Sequence, residues 1–242
     1  MATPIYAVGD IHGQLHMLDT ALDRIEADGG PDAQVVFLGD YVDRGKNTRA
    51  VIQRLIGGRD TGRNWVFLKG NHDRMMEWFL MDPPQQDPHL LVGFHWFHEK
   101  LGGAETVASY GITEIDGVRQ YVLANAFREA VPADHVTFLQ DLRLSYDRGP
   151  LFFAHAGIRP GVALDQQDER DLLWIRQEFH KDTRDHGKLI VHGHTPVMQA
   201  THYGNRINLD TGAGYDHPLT VAVFEGTECW VLDENGRLPL RP

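Results

Sequence analysis

Cysteine is almost absent: Cys229 is the single one in 242 residues, so an intramolecular disulfide is impossible and a reducing, cytoplasmic setting is expected. No apolar run approaches the length of a membrane span, so no membrane partner is expected. The opening Met1-Ala2-Thr3-Pro4 lacks the basic stretch of a signal peptide and leads straight into a strand-like segment. Basic residues are also scarce: 23 Lys and Arg against 34 Asp and Glu leave a formal net charge of -11. Polynucleotide backbones are met by basic faces, so nucleic acid is not the expected ligand. What remains is an ordinary globular composition, 42% hydrophobic and 24% charged, read as one α/β domain over residues 1–242.

Short apolar runs alternate with helical periodicity. Ile5 to Val8, Val35 to Leu38 and Trp65 to Leu68 read as buried strands. Between them, Leu15, Leu18, Leu22 and Ile25 share one helical face, and Val51, Ile52 and Leu55 another. This is the pattern of parallel βαβ units. From about residue 74 to 149 the pattern turns helical and aromatic-rich, and is read as an insertion over the sheet. Strands return at Leu151–Ala154, Leu189–Val191, Arg206–Leu209, Leu219–Phe224 and Cys229–Leu232, the last two as a hairpin about Gly226.

Each of the first three strands ends in Gly followed by an oxygen donor: Asp10, Asp40 and Asn71. The intervals, 40 − 10 = 30 and 71 − 40 = 31, are one βαβ unit each, so the three side chains should meet at one edge of the sheet, where ligands gather in such folds. His12, His155 and His194 follow predicted strands in the same way. Oxygen donors mixed with imidazoles suit manganese, iron, zinc or cobalt. Six ligands exceed one tetrahedral site and fit two ions about 3.5–4 Å apart with Asp40 shared between them. The plainer reading is that these residues cap strand ends, and six such residues at five strand ends make it the weaker one.

Gly9-Asp10-Ile11-His12-Gly13, Gly39-Asp40-Tyr41-Val42-Asp43-Arg44-Gly45 and Gly70-Asn71-His72-Asp73 resemble the three motifs of the PPP family of metallophosphatases. His155-Ala156-Gly157 and Gly193-His194-Thr195-Pro196 continue the series, in a pattern similar to bacterial and phage serine/threonine protein phosphatases such as that of phage lambda. The resemblance implies a four-layer α/β/β/α calcineurin-like sandwich of two mixed sheets with a mostly helical insertion. It implies two divalent ions, manganese for preference, with iron, zinc, nickel or cobalt as alternatives. Asp10 and His12 would hold one ion, Asp40 would bridge, and Asn71, His155 and His194 would hold the other. His72 would be the general acid, with Asp43 orienting its ring, and Arg44 and Arg176 would bind phosphate. A phosphoprotein or a phosphorylated small molecule would be the substrate.

Physical chemistry makes sense of these roles. An alkoxide leaves poorly without a proton, His is the usual donor near neutrality, and a carboxylate on the second ring nitrogen fixes the tautomer. Guanidinium forks match phosphate oxygens. Pro196 stands where the broader metallophosphoesterase pattern has a last His, and His192 reads as a strand residue. His95 and His98 read as packing residues, and Trp78, Phe79, Trp96 and Phe97 as either groove or packing. Asp210 reads equally as a turn cap or as a support for the ligands. The leading activity is dephosphorylation of phosphoserine and phosphothreonine; the alternatives are symmetrical diadenosine tetraphosphate hydrolysis, a broad phosphomonoesterase, and an inactive metal-stabilised binding module. The last predicts a lost site residue, and none is lost.

Overall fold

A computed structural model describes residues 3–242. The first half runs β1 (Ile5–Val8), α1 (Leu15–Gly29), β2 (Gln34–Phe37), α2 (Thr48–Asp60), β3 (Trp65–Phe67), α3 (Asn71–Phe79), α4 (Gly103–Ser109), α5 (Gln120–Ala130) and α6 (Ala133–Gln140). The second runs β4 (Ser145–Arg148), β5 (Leu151–Ala154), α7 (Glu169–Trp174), α8 (Gln177–His180), β6 (Leu189–His192), β7 (Thr201–His202), β8 (Arg206–Asn208), β9 (Val221–Glu225), β10 (Glu228–Asp233) and β11 (Gly236–Pro239). Two mixed sheets result, one ordered β11-β10-β9-β1-β2-β3 and the other β4-β5-β6-β8-β7.

Alternation along the strands builds the layers. In β1, Ile5 and Ala7 join Leu38, Phe153, Val191 and Ile207 in the core between the sheets. Tyr6 and Val8 point the other way, into a core shared with Leu18, Leu22, Val51 and Phe79 of the helices. On the far side, Phe152, Ala154 and Ile190 pack under Leu172 and Phe179. Strands covered on both faces read as continuous apolar runs, as these do. Each fully buried side chain of this size contributes about 1.5–3 kcal/mol. The four layers are those expected.

The segment from 74 to 149 departs from its helical reading in two places. Residues 80–102 form turns, because Pro83, Pro84 and Pro88 each lack the N–H that a helix needs. Ser145–Arg148 is an edge strand paired antiparallel with β5. Of the two readings open for the aromatics, Phe79, Trp96 and Phe97 take packing, ring against ring with Phe127 beneath these turns.

Candidate active site

β1, β2 and β3 are neighbours in parallel register, Val8 beside Phe37 and Phe37 beside Phe67. The loops that follow them therefore lie side by side and present Asp10, Asp40 and Asn71. In the second sheet, β5, β6 and β8 are also parallel, and their ends present His155, His194 and Asp210 to the same place. All six are buried. Of the six non-glycine residues with positive φ among those described, five are here: His12, Asp40, Asp43, Arg44 and His194. Left-handed backbone costs a non-glycine residue about 1 kcal/mol or more, and such strain collects at functional sites. Two glycines allow the carboxylates to seat. A Cβ on Gly70 would lie 2.1 Å from Asp40 Oδ1, and one on Gly193 would lie 2.0 Å from Asp10 Oδ1.

Asp40 sits between two imidazoles: its Oδ2 is 3.5 Å from His12 Nε2 and its Oδ1 is 3.5 Å from His155 Nε2. His12 Nδ1–H donates to the Val42 carbonyl and His155 Nδ1–H to the Leu38 carbonyl, both at 2.8 Å. With those protons placed, each Nε2 carries a lone pair aimed inward. His155 Nε2 is 3.0 Å from Asn71 Oδ1, and His194 Nδ1 is 2.8 Å from the same oxygen. Acceptors facing acceptors in a buried pocket are reconciled by a cation, and the donor set (carboxylate, amide oxygen, neutral imidazole) suits a divalent transition metal. Asp10 supports the arrangement by accepting His194 N–H at 3.0 Å.

The electrostatics agree. Burial pushes Asp40 up to about 7, and burial together with the charges of Asp210 and Asp40 pushes Asp10 well above the usual carboxylate range. Burial drives His12 and His194 well below the ordinary imidazole value and His155 down to about 4. Crowded carboxylates beside neutral imidazoles are a cation-accepting environment.

His72, the second residue of α3, turns Nδ1–H to Asp43 Oδ2 at 2.7 Å. Its Nε2 faces the centre, 3.3 Å from an Arg44 nitrogen, with the His12 ring 4.8 Å away. The same nitrogen lies close enough to Asp40 and His12 to ligate, so position alone allows two uses. Arg44 also donates to His12 Nε2, a lone pair that a cation would otherwise take, and its guanidinium lies 4.7 Å over the ring of the exposed Tyr215. Arg176 is exposed and close enough to Asp40, Arg44, Tyr215 and Asp210 for its charge to be felt by each. Asp210 is both things its sequence allowed: it caps a turn by accepting Gly212 N–H at 2.9 Å, and it is a third buried carboxylate beside Asp10 and Asp40.

Sequence reading missed several supports. Trp96 Nε1–H donates to Asp43 Oδ2 at 2.9 Å and Thr106 donates to Asp43 Oδ1 at 2.7 Å, so the carboxylate that orients His72 is held from the insertion. Burial raises Asp43 well above the usual carboxylate value, and these two donors oppose the rise. Asp73 accepts N–H groups of Asp40, Tyr41 and Gly70 at 2.8, 2.9 and 2.8 Å, pinning two motif loops together. Its place in Gly-Asn-His-Asp was the only signal for that. His95 and His98 fall outside any helix; His98 stacks on Phe94 at 3.8 Å and His95 is exposed.

Comparison with known proteins places this geometry. The profile of the calcineurin-like phosphoesterases matches residues 3–221. A bis(5'-nucleosyl)-tetraphosphatase PrpE [asymmetrical] of Anoxybacillus flavithermus is 27% identical over 242 residues, covering 91% of this chain and 90% of the relative. A protein of the same name from Oceanobacillus iheyensis is 25% identical over 254 residues, covering 91% and 88%. A crystal structure provisionally named a diadenosine tetraphosphatase superposes with a TM-score of 0.64 at 21% identity, covering 100% of this chain and 95% of that one. A cold-active protein-tyrosine phosphatase of a Shewanella species gives 0.63 at 14% identity, covering 100% and 81%. At such identities the superpositions establish fold alone. The profile match spans both sheets up to the start of β9 and every strand end that carries a site residue, and by it the chain belongs to the calcineurin-like phosphoesterase family.

Proposed function

We propose that the protein is a two-metal phosphohydrolase whose substrates are dinucleoside tetraphosphates, cleaved at a phosphoanhydride bond of the polyphosphate bridge. The chemistry rests on Asp40, whose two oxygens each face a different imidazole as a bridging ligand would. The substrate class rests on two relatives, matched along about nine-tenths of both chains, that bear that name. Asp10, His12 and Asp40 would hold one cation, and Asp40, Asn71, His155 and His194 the other. Divalent cations bound there, manganese for preference, would supply Lewis-acid chemistry, bringing the pKa of a water toward about 7.

The chain's own residues do the rest. Arg44 and Arg176 hold the phosphate oxygens and balance charge as the new P–O bond forms and the old one breaks. His72 Nε2 gives its proton to the departing oxygen, and Asp43 keeps the ring turned for that transfer. Burial, and after it Arg44, hold His72 well below the ordinary imidazole value, so an anionic phosphate is what stabilises its protonated form. The His72–Asp43 pair thus becomes an acid when substrate arrives.

A second reading, dephosphorylation of phosphoserine and phosphothreonine in proteins, is favoured by Gly193-His194-Thr195-Pro196, which resembles the protein phosphatases. Side-by-side kcat/KM values for diadenosine tetraphosphate, a phosphoserine peptide and p-nitrophenyl phosphate decide between them. The tetraphosphate is expected to lead the peptide by at least about tenfold, a margin of about 1.4 kcal/mol in transition-state binding. The reverse order would establish the second reading. Products separate the two cleavage modes: ATP with AMP marks asymmetrical cleavage, and two ADP mark symmetrical cleavage.

A further inference from the structure

We propose that Asp87 is a positioning residue for the phosphate-binding side of the site, acting through Trp174 on Arg176. Asp87 lies in the insertion, between the aromatic turns and no motif, yet its carboxylate is fully buried. It collects donors from three elements. Arg74 of α3, two residues after His72, donates to Oδ2 through Nε at 2.9 Å, and a terminal guanidinium nitrogen lies 2.7 Å away. Trp174 Nε1–H, at the end of α7, donates to the same oxygen at 3.2 Å. His89 donates its backbone N–H to Oδ1 at 2.9 Å, and its ring stacks on Trp174 at 5.9 Å.

The consequence lies on the far side of Trp174. Its ring meets the His194 ring edge-on at 6.0 Å, and α7 ends there. Ile175 then turns out of the helix at ψ 143, and Arg176 follows with φ -135 and ψ -98, outside helical geometry. Among the described residues none forms a hydrogen bond with the Arg176 side chain, so its reach toward Asp40 is set by the backbone that Trp174 anchors. A buried ion pair such as Arg74–Asp87 adds little net stability over an apolar pair, and its value here is geometric: it fixes an acceptor for the indole. This rests on the reading of Arg176 as a phosphate ligand.

The test uses metal-loaded full-length enzyme, with inorganic phosphate as inhibitor and p-nitrophenyl phosphate as substrate. Asp87→Asn and Trp174→Phe are made alone and in an Arg176→Ala background. Each alone is expected to raise the phosphate inhibition constant and KM about 3- to 10-fold while kcat falls less than about 2-fold and metal content is unchanged. In the Arg176→Ala background the further change should fall below about 2-fold, because coupled residues are not additive. Equal effects in both backgrounds, or a loss confined to kcat or to metal content, would overturn the positioning role and leave Arg176 as a phosphate ligand untouched. Arg176→Ala with unchanged phosphate inhibition would instead overturn the ligand role, and this proposal with it. Should Asp87→Asn fail to fold, Trp174→Phe, which removes one N–H and keeps a ring against His194, carries the same test.

Discussion

The strand-end loops and the insertion between α3 and β4 contribute to one site in opposite ways. The loops are short, buried and strained, with five left-handed non-glycine residues among them, and they carry every proposed ligand. The insertion carries none. It sends Trp96 and Thr106 to Asp43, and Asp87 to Trp174, while exposing Leu91, Val92, Tyr121 and Val122 to solvent. Strain accumulates where many side chains must reach one point from different strands. Orientation and exclusion of water can be supplied from a distance by a segment free to vary in length.

That contrast implies a ranking of effects. The largest belongs to the bridging position: Asp40→Asn is expected to lower turnover by about 10³-fold or more, with fewer than two ions bound per chain, since metal ions contribute several kcal/mol of charge stabilisation. Two ions and undiminished turnover in that variant would remove the bridge from the scheme. Next, His72→Asn should cost about 10²–10⁴-fold on phosphoserine, and far less on p-nitrophenyl phosphate, whose leaving group needs no proton. Equal losses on both substrates together with a lost ion would mean that His72 is a ligand, as its position also allows.

From the insertion, Trp96→Phe should cost about 10-fold on phosphoserine with metal content unchanged, the usual scale for a residue that orients another. A loss as deep as that of His72→Asn would erase the distinction between loops and insertion. Smallest is a control outside both regions. Asp171 of α7 is held below the usual carboxylate range by the Arg159 guanidinium, which it accepts in a fork with one bond of 2.7 Å. A depressed carboxylate adds stability above its unfolded value of about 3.9 and loses it as pH falls through the folded value. Because Arg159 is partly exposed, the contribution is at most about 1 kcal/mol. Asp171→Asn should therefore lower Tm by about 2–4 °C at pH 7, and the gap should close as pH falls through the folded value. A gap that widens on acidification would reverse the assigned sign.

Local pattern was enough to read the parallel units and what stands at their ends. Intervals of 30 and 31 residues between Gly-Asp, Gly-Asp and Gly-Asn are set by one strand, one helix and two tight turns, a local constraint that survives without coordinates. Later apolar runs read as strands likewise put His155 and His194 at strand ends. Which atoms meet across long gaps of unpatterned chain emerged only on folding. Trp96 and Thr106 lie 53 and 63 positions from Asp43, and Trp174 lies 87 from Asp87, with no shared element to fix their distance. The four-residue edge strand Ser145–Arg148 was equally hidden, because so short a segment takes its conformation from the neighbour it pairs with. Periodicity reports what one element buries. It says nothing of which turn of an irregular segment comes to rest against it, and here that choice brings Trp96 to Asp43 and Asp87 to Trp174.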